Sequence, residues 1–362
     1  DQMEPSGQAE TMFPGACSRD SLFISRLVHN RAMISGLDLN EPAMRNFLFF
    51  TGDTSCFPSM ITLSRESFLR IGFDNDILDY TDRFYTNGIR FDIILPLFSR
   101  NPINRLLIPH RGSGNNYYGI SLVQNMYTPS STKTGGISYN DRPYAAYLYV
   151  GSFKVTNVAI HYFRQTSGLL LGIIGPGSYG GWVQRSFHNS VPTNNEPLGW
   201  EYQIKNDFLI NYDVAIEKGV INKKHIDLRL ISTAAAGSLY TNLSGGFQVR
   251  AGWMNPYFAN LGMARTGELM KMQLRKFQCY LFIGGACKLI GYDATLQGGM
   301  FNRTSPYTLT ADQISRAVFQ SSAGITFNYR GFRLDIEQFI LSPEFKKGWW
   351  HKWVHIGLAF CL

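Results

Sequence analysis

The stretch Tyr147-Leu-Tyr-Val-Gly-Ser-Phe-Lys-Val155, followed by Thr156-Asn157 and then by Val158-Ala-Ile-His-Tyr-Phe-Arg164, decides the fold class. Both outer segments combine β-branched and aromatic residues with a period of two, which is the pattern of β-strands. Thr156-Asn157 has the composition of a short turn. The stretch therefore predicts two long antiparallel strands joined by a tight turn.

The same pattern recurs from about residue 66 to the C-terminus. The candidate strands are 66–74, 84–98, 116–126, 144–155, 157–175, 200–218, 225–236, 240–253, 272–288, 314–328, 330–341 and 352–362. Several exceed the ~5–6 residues of an ordinary soluble strand. Long strands in even number, with short turns alternating with longer polar loops, are typical of a transmembrane barrel, because closure leaves no unpaired edge in lipid. We therefore predict an all-β fold, a closed antiparallel transmembrane β-barrel of about twelve strands over residues 63–362.

The composition agrees with a β-barrel and excludes several other classes. Of 362 residues, 26 are Phe and 19 are Tyr, only 17% are charged, and the mean hydropathy is −0.12. A disordered chain would be charged and poor in aromatic residues, and a helical protein would be rich in Ala, Glu, Lys and Leu. No run reaches the ~18 apolar residues of a transmembrane helix. Residues 1–62 show no sustained period, so we expect a poorly ordered extension of unknown role, with an export signal either missing or corrupted.

The net charge of +8 indicates an anionic partner. The basic residues are scattered singly and no nucleic-acid-binding motif is present, so a lipid or membrane surface is favoured over nucleic acid. The five cysteines include no CxxC pair, which argues against a zinc site and favours single buried or lipid-facing thiols.

The densest polar cluster of the chain lies between the first two predicted strands. Asn75 carries an amide that can stabilise an oxyanion, and Asp76 carries a carboxylate that can orient a histidine or bind Ca²⁺. Three roles are open for Thr86, at the start of the second strand: a nucleophile, a hydrogen-bonding group or an ordinary strand residue. Asn, Asp and Gly also build turns, so a solvated hairpin loop is the alternative.

A second candidate segment, residues 176–189, predicts a short helix after a Gly/Pro turn. On a helix, Gln184 and His188 lie at i and i+4 and share one face. A histidine is the usual general base near neutral pH, although a hydrogen-bonded structural histidine is the commoner case. Ser178 does not form a nucleophile elbow, because Pro176 replaces the first glycine of that motif.

Several short motifs, in this order, carry a family resemblance. They are Asn75-Asp76, Asp82-Arg83-Phe84-Tyr85-Thr86-Asn87-Gly88, Asp141-Arg142-Pro143-Tyr144-Ala145, Gln184-x-x-x-His188 and Gly199-Trp200-x-x-Gln203. With them the chain resembles, over about residues 64–362, the lipid A 3′-O-deacylase family of Gram-negative outer membranes. The resemblance implies a twelve-stranded barrel with a site between the barrel wall and a short helix near the outer face.

The resemblance also implies an activity, which is removal of the 3′-linked acyloxyacyl chain of lipid A by cation-assisted ester hydrolysis. Its site residues, carried onto this sequence, fall into four groups: the base His188; Asn75, Asp76, Thr86 and Gln184 around the reacting ester; Lys133, Arg83 and Arg142 for the substrate; and Asp76 and Glu196 for a divalent cation, usually Ca²⁺. Ile77 stands where some members have a further acid, so Asp79 or Asp82 is an alternative ligand. The implied partner is lipid A, or lipopolysaccharide, in the outer leaflet, bound by a monomer.

Two other functions are compatible with the same residues. The first is a non-catalytic outer-membrane barrel, a porin or structural protein, which would have a continuous wide lumen. The second is a phospholipase-type lipid esterase that shares the site. Small barrels are filled by side chains, and about twelve strands are few for an open pore.

Overall fold

Thirteen β-strands make up most of the part of the chain that the structure, a computed structural model, describes. That part comprises residues 61–76, 83–110, 112–190 and 197–362, without the side chains of Ile61 and of residues 187–190. The strands are β1 (Ile61–Leu63), β2 (Phe68–Asn75), β3 (Phe84–Ile94), β4 (Gly114–Thr128), β5 (Ala145–Val158), β6 (Phe163–Ile174), β7 (Asp207–Asn222), β8 (Ile226–Gly237), β9 (Tyr240–Trp253), β10 (Phe277–Asp293), β11 (Ala317–Tyr329), β12 (Phe332–Leu341) and β13 (His351–Cys361). Of the predicted extension, only Ile61 and Thr62 lie within the described residues.

Strands β2 to β13 close into one antiparallel ring. Each strand pairs with its neighbours in the chain, and β13 pairs with β2 to complete the circle, for example Ile356 with Phe73. Strand β1 adds a short parallel contact at the start of β4, where Ile61 pairs with Gly114. The prediction of a closed twelve-stranded antiparallel barrel is confirmed, and β1 is an extra strand that the sequence pattern missed.

Alternation along each strand separates an apolar outer face from a filled interior. In β10, Leu281 and Ile283 are exposed on the outside, whereas Tyr280 and Phe282 are buried inside. An outward apolar band with an inward polar or packed face is the signature of an outer-membrane barrel. No helix among the described residues is long and apolar enough to cross a bilayer.

The interior is packed with side chains at several levels. At the end that carries the first residues of β2, the 254–276 connection inserts Leu261 and Met263 against Phe68 and Ile94. Toward the other end, tyrosines from neighbouring strands cluster around Tyr127. Buried ion pairs such as Arg250–Asp227 join neighbouring strands inside. This packing argues against the wide lumen that a porin requires.

The short helix predicted in the segment 176–189 is present. Pro176–Ser178 forms a 3₁₀ turn and leads into helix α1 (Gly180–Ser190). Two further helices, α2 (Thr266–Lys271) and α3 (Ala294–Gln297), lie in connections between strands and were not predicted. Among the described cysteines, Cys279, Cys287 and Cys361 are free thiols.

Several predicted strand boundaries were wrong. The turn after β5 is not Thr156-Asn157 but the 159–162 segment, where Tyr162 adopts a left-handed backbone with φ of 48°. Strand β3 stops at Ile94, because Pro96 lacks an N–H and begins a 3₁₀ turn. Strand β7 begins only at Asp207, since the residues before it pack against α1 as a separate turn.

Candidate active site

The polar loop between β2 and β3 is closed at its neck by Asp76. Asn75 pairs with Asn87 across the two strands, so the two ends of the loop lie side by side as predicted. The carboxylate of Asp76 is 2% exposed, and its Oδ2 accepts a hydrogen bond from the backbone N–H of Arg83 at 3.0 Å. Asp76 is thus held in a defined position against the wall rather than in solvent. Residues 77–82, including Asp79 and Asp82, lie outside the described residues.

Thr86 is the extra residue of a β-bulge. Tyr85 and Asn87 pair with the consecutive residues Tyr127 and Met126, which leaves Thr86 without a partner in the ladder. A bulge turns the side chain of the extra residue in a new direction and often lies beside a functional site. The Thr86 hydroxyl forms a 2.8 Å hydrogen bond with the hydroxyl of Thr128, and both residues are buried.

Thr128 places this hydroxyl pair on the outer side of the wall. Thr128 and Met126 lie two residues apart on β4 and therefore face the same way. Met126 packs in a cluster with Ala146, Tyr144 and Trp200, and Val183 of α1 contacts the same cluster. The face of β4 that carries Thr128 is thus the face covered by α1.

Two glycines allow α1 to lie this close to the wall. A Cβ added to Gly180 would be 2.2 Å from the Cβ of Ala146, and one added to Gly181 would be 2.9 Å from the ring of Trp200. Real Cβ atoms do not approach other heavy atoms so closely, and a methyl carbon on a strand cannot move aside as the end of a long side chain can. The Gly-Gly start of the helix is therefore a packing requirement.

Gln184 is anchored on this helix by Trp200. Its side chain is 3% exposed, and its Oε1 accepts a hydrogen bond from the indole Nε1–H of Trp200 at 2.7 Å. An indole nitrogen only donates, so the accepting atom is the amide oxygen and the orientation of the amide is determined. The amide nitrogen of Gln184 therefore points away from Trp200.

His188 lies in α1 one helical turn beyond Gln184, as the sequence predicted. Residues at i and i+4 share one side of a helix. Its side chain is outside the described residues, so its predicted role as a base stays a prediction.

The loop that carries Lys133 is tied to the chain segment that follows α1. The backbone N–H of Leu198 donates to the carbonyl of Thr132 at 2.9 Å, and the Tyr144 hydroxyl donates to the carbonyl of Leu198 at 2.6 Å. Lys133 itself is exposed beside these contacts. This position is compatible with the predicted contact to an anionic group of a substrate.

The other two predicted substrate residues differ sharply in their surroundings. Arg83, next to the loop neck, places its guanidinium 5.4 Å from the ring centre of Trp349. Arg142 is only 1% exposed and pairs with Glu344. It also donates to the Thr295 hydroxyl at 2.7 Å and lies over the ring of the interior residue Tyr127.

Arg142, predicted as a substrate residue, lies buried among other connections. The structure does not bring it to the face that carries Thr86 and Gln184. Burial lowers the pKa of Arg142, but Glu344 and Asp293 outweigh that effect and leave the pKa raised above its ordinary value. Arg142 therefore ties three connections together as a buried cation.

The predicted cation site is only partly described. Asp76 offers a carboxylate, and Ca²⁺ prefers oxygen ligands of this kind, but it takes about 6–8 of them. Glu196 lies outside the described residues. Within the described part of the chain, no three His, Cys, Asp or Glu side chains cluster closely enough to bind a metal. The Ca²⁺ assignment thus stays a prediction.

Sequence reasoning missed two residues of this site, Thr128 and Trp200. Nothing in the sequence pointed to Thr128, because its hydrogen bond with Thr86 depends on the bulge. The sequence contained a weak indication of Trp200, since it belongs to the Gly199-Trp200-x-x-Gln203 motif and a buried indole N–H needs a hydrogen-bond acceptor.

Comparison with known proteins identifies one matching family and several similar solved structures. The protein family described as "Outer membrane protein LpxR" matches residues 48–361. Among solved structures, LpxR from Salmonella typhimurium superposes with a TM-score of 0.64 at 20% identity, covering 82% of this chain and 100% of that one. The β-domain of the Bordetella autotransporter BrkA has a TM-score of 0.39 at 12% identity, covering 82% and 99% of the two chains. No curated protein sequence matches the chain significantly.

Proposed function

The chain belongs to the LpxR family of outer membrane proteins, and from this membership we propose that it removes the 3′-linked acyloxyacyl chain of lipid A by hydrolysis of an ester. One observation carries the proposal beyond membership. Helix α1 presents the oriented Gln184 amide on the outer side of the wall, the side that also carries the buried Thr86–Thr128 pair. A site on the lipid-facing side is where an enzyme must act on a membrane lipid.

In the proposed reaction, His188 takes a proton from water as the water oxygen bonds to the ester carbonyl carbon. The tetrahedral intermediate collapses with cleavage of the ester C–O bond, and His188 returns the proton to the sugar 3′-oxygen. The products are the free acyloxyacyl acid and a 3′-hydroxyl group. A positioned general base of this kind contributes about 100- to 10,000-fold to the rate.

The amides of Asn75 and Gln184 are the proposed donors to the oxyanion. Trp200 accounts for the orientation of the Gln184 amide, because its indole N–H bonds to the amide oxygen. A single donor of this type is worth about 3–4 kcal/mol of transition-state stabilisation. Asp76 and Glu196 would bind a divalent cation such as Ca²⁺, which supplies positive charge next to the oxyanion. Lys133 and Arg83 would contact phosphates of the lipid.

The direct test is mass spectrometry of lipid A from a Gram-negative host that lacks this activity. Expression of the wild-type chain should remove the mass of the 3′ acyloxyacyl group, and His188→Ala should leave lipid A intact. His225→Ala is a matched control, because His225 is an exposed histidine in the 223–225 turn at the other end of the barrel. Undiminished deacylation by His188→Ala would refute the proposed base.

The same extracts test the cation and the substrate. Chelation of divalent cations should stop the reaction, and Ca²⁺ should restore it. A phospholipase-type esterase remains the second candidate, and comparing purified phospholipid with lipid A as substrates separates the two. Release of fatty acid from phospholipid but not from lipid A would favour the esterase.

A further inference from the structure

A groove of about 480 Å³ lies on the outer face of β9, β10 and β11. Its floor consists of small outward-facing residues on these three adjacent strands: Gly245, Gly285, Cys287 and Ser321. Its margins are formed by three large, exposed aromatic residues: Phe247, Phe319 and Trp350. The volume falls in the range of about 300–1,000 Å³ that is typical of ligand clefts.

The groove is separate from the candidate active site. In the closed ring, β10 lies six strands from β4 in either direction, so the two are on opposite sides of the barrel. Helix α1 covers β4 and β5, whereas the groove is centred on β10. A ligand in the groove therefore cannot also contact Gln184.

The groove runs toward a basic and aromatic connection. Trp350, at its margin, belongs to the 342–350 connection, in which Lys346 and Lys347 are exposed. Lys352, at the start of β13, is exposed as well. Ser321 pairs with Ile340, and Ile340 pairs with Lys352. Two strand spacings, about 10 Å, therefore separate this lysine from the groove floor.

The 342–350 connection lies at the same end of the barrel as α1. Three of the five connections at the opposite end are short turns, 159–162, 223–225 and 330–331, whereas five of the six connections at the α1 end have eight or more residues. Short turns are typical of the periplasmic end and longer loops of the outside. The lysines therefore lie at the level of the outer-leaflet head groups, and the groove descends from them into the outer leaflet.

We propose that this groove is a second lipid site, which holds one acyl chain of a lipid A molecule while Lys346, Lys347 and Lys352 contact its phosphates. The groove faces the hydrocarbon layer, so an acyl chain is the matching occupant of its apolar part. Van der Waals contact with a shaped wall, rather than the hydrophobic effect, favours such a chain over its place among other lipids. Lys352, about 10 Å from the groove floor, and the exposed Lys346 and Lys347, in the connection that supplies Trp350, complement a phosphorylated head group. The site requires outer-membrane location but not the hydrolytic reaction.

Gly245→Leu is the most direct test. A Cβ added to Gly245 meets nothing within 4 Å, so the larger side chain occupies groove space without disturbing the strand pairing. Ala234→Leu is the matched control, because Ala234 is an exposed small residue on β8 outside the groove. Both changes are made in His188→Ala protein, so that bound lipid A is not cleaved.

Each protein is purified in mild detergent, and its complexes with added lipid A are counted by native mass spectrometry. The complex with a second bound lipid A should be lost in Gly245→Leu and kept in Ala234→Leu, whereas the first lipid A, bound at the active site, should remain in both. Each Lys→Gln change should lower the ratio of doubly bound to singly bound protein about fivefold, which corresponds to ~1 kcal/mol per lysine near a membrane surface. Equal binding by the Gly245→Leu and Ala234→Leu proteins would overturn the proposal. So would a dimer of the parent protein that Gly245→Leu dissociates.

A thiol-protection measurement checks the position without altering the groove. Cys287 lines it, whereas Cys279 lies eight residues earlier on the same outward face of β10, about 27 Å away. Added lipid A should slow maleimide labelling of Cys287 relative to Cys279 in His188→Ala protein that otherwise lacks cysteines. Equal slowing of both thiols would show only general coverage by lipid and would contradict a specific site.

Discussion

The hydrogen bond from Trp200 to Gln184 supports a sharp prediction about catalysis. Trp200→Phe keeps an aromatic ring packed near Tyr144, whose ring centre is 5.0 Å away, but removes the indole N–H. The Gln184 oxygen then loses that donor in a side chain that is 3% exposed. Leaving a buried acceptor without its partner costs about 1–3 kcal/mol. The amide can reduce this cost by turning over, which exchanges its oxygen and nitrogen ends.

A turned amide presents an oxygen where the intact protein presents N–H donors. If Gln184 stabilises the oxyanion, the variant loses a donor, and the deacylation rate should fall about 100-fold. The rate is measured as the time course of 3′ deacylation of lipid A by mass spectrometry. Folding is checked by the heat-modifiable mobility of the barrel on gels and by circular dichroism.

Tyr144→Phe provides the matched control. It removes the partly buried hydrogen bond from the Tyr144 hydroxyl to the carbonyl of Leu198, at a residue of the same cluster. The stability cost should be similar, about 1 kcal/mol, with little change in rate. The double variant Trp200→Phe/Gln184→Ala should be no slower than Gln184→Ala alone, because Trp200 acts through Gln184. Wild-type rates in Trp200→Phe, or additive losses in the double variant, would refute the reasoning.

Three further predictions concern the helix, the loop neck and the interior. Gly180→Leu should abolish deacylation in a barrel that still folds, because the new side chain collides with Ala146 and displaces α1; retained activity would contradict the docking requirement. Asp76→Asn, which keeps an oxygen acceptor at the loop neck, should raise the Ca²⁺ concentration needed for half-maximal activity, and an unchanged Ca²⁺ titration would exclude this residue as a ligand. Arg250→Ala should destabilise the barrel by about 3–5 kcal/mol, measured by urea unfolding in detergent, because it leaves Asp227 buried without its partner. A loss under 1 kcal/mol would show that water replaces the arginine.

The boundary errors show where local patterns fail. Thr156 and Asn157 have the composition of a turn, yet both lie within the β5 ladder. The Asn157 side chain donates to the carbonyl of Phe258 and accepts from Arg164. Phe258 is 101 residues away in the chain and belongs to a connection that folds into the barrel. A polar residue that locally favours a turn is thus accommodated in a strand by a partner that no local window contains.

The candidate site also combines features that follow from local sequence with features that depend on distant segments. The pairing of Asn75 with Asn87 and the placement of Gln184 and His188 on one helix follow from short-range periodicity, and the structure contains both. The bulge at Thr86 and the Trp200 contact depend on how the strands and α1 meet. The burial of Arg142 depends on Glu344, 202 residues later. Such contacts leave no period in the sequence.

The sequence by itself determined that this protein is a closed barrel of long strands with a short helix after a Gly/Pro turn in one connection. It could do so because alternation of side chains and the spacing of turns are local consequences of backbone geometry. Only the tertiary structure decided which polar residues share the space under α1, which arginine is buried in the interior, and where the outer wall is indented. Those features arise where segments far apart in the chain pack against each other, and packing depends on the shapes of both partners.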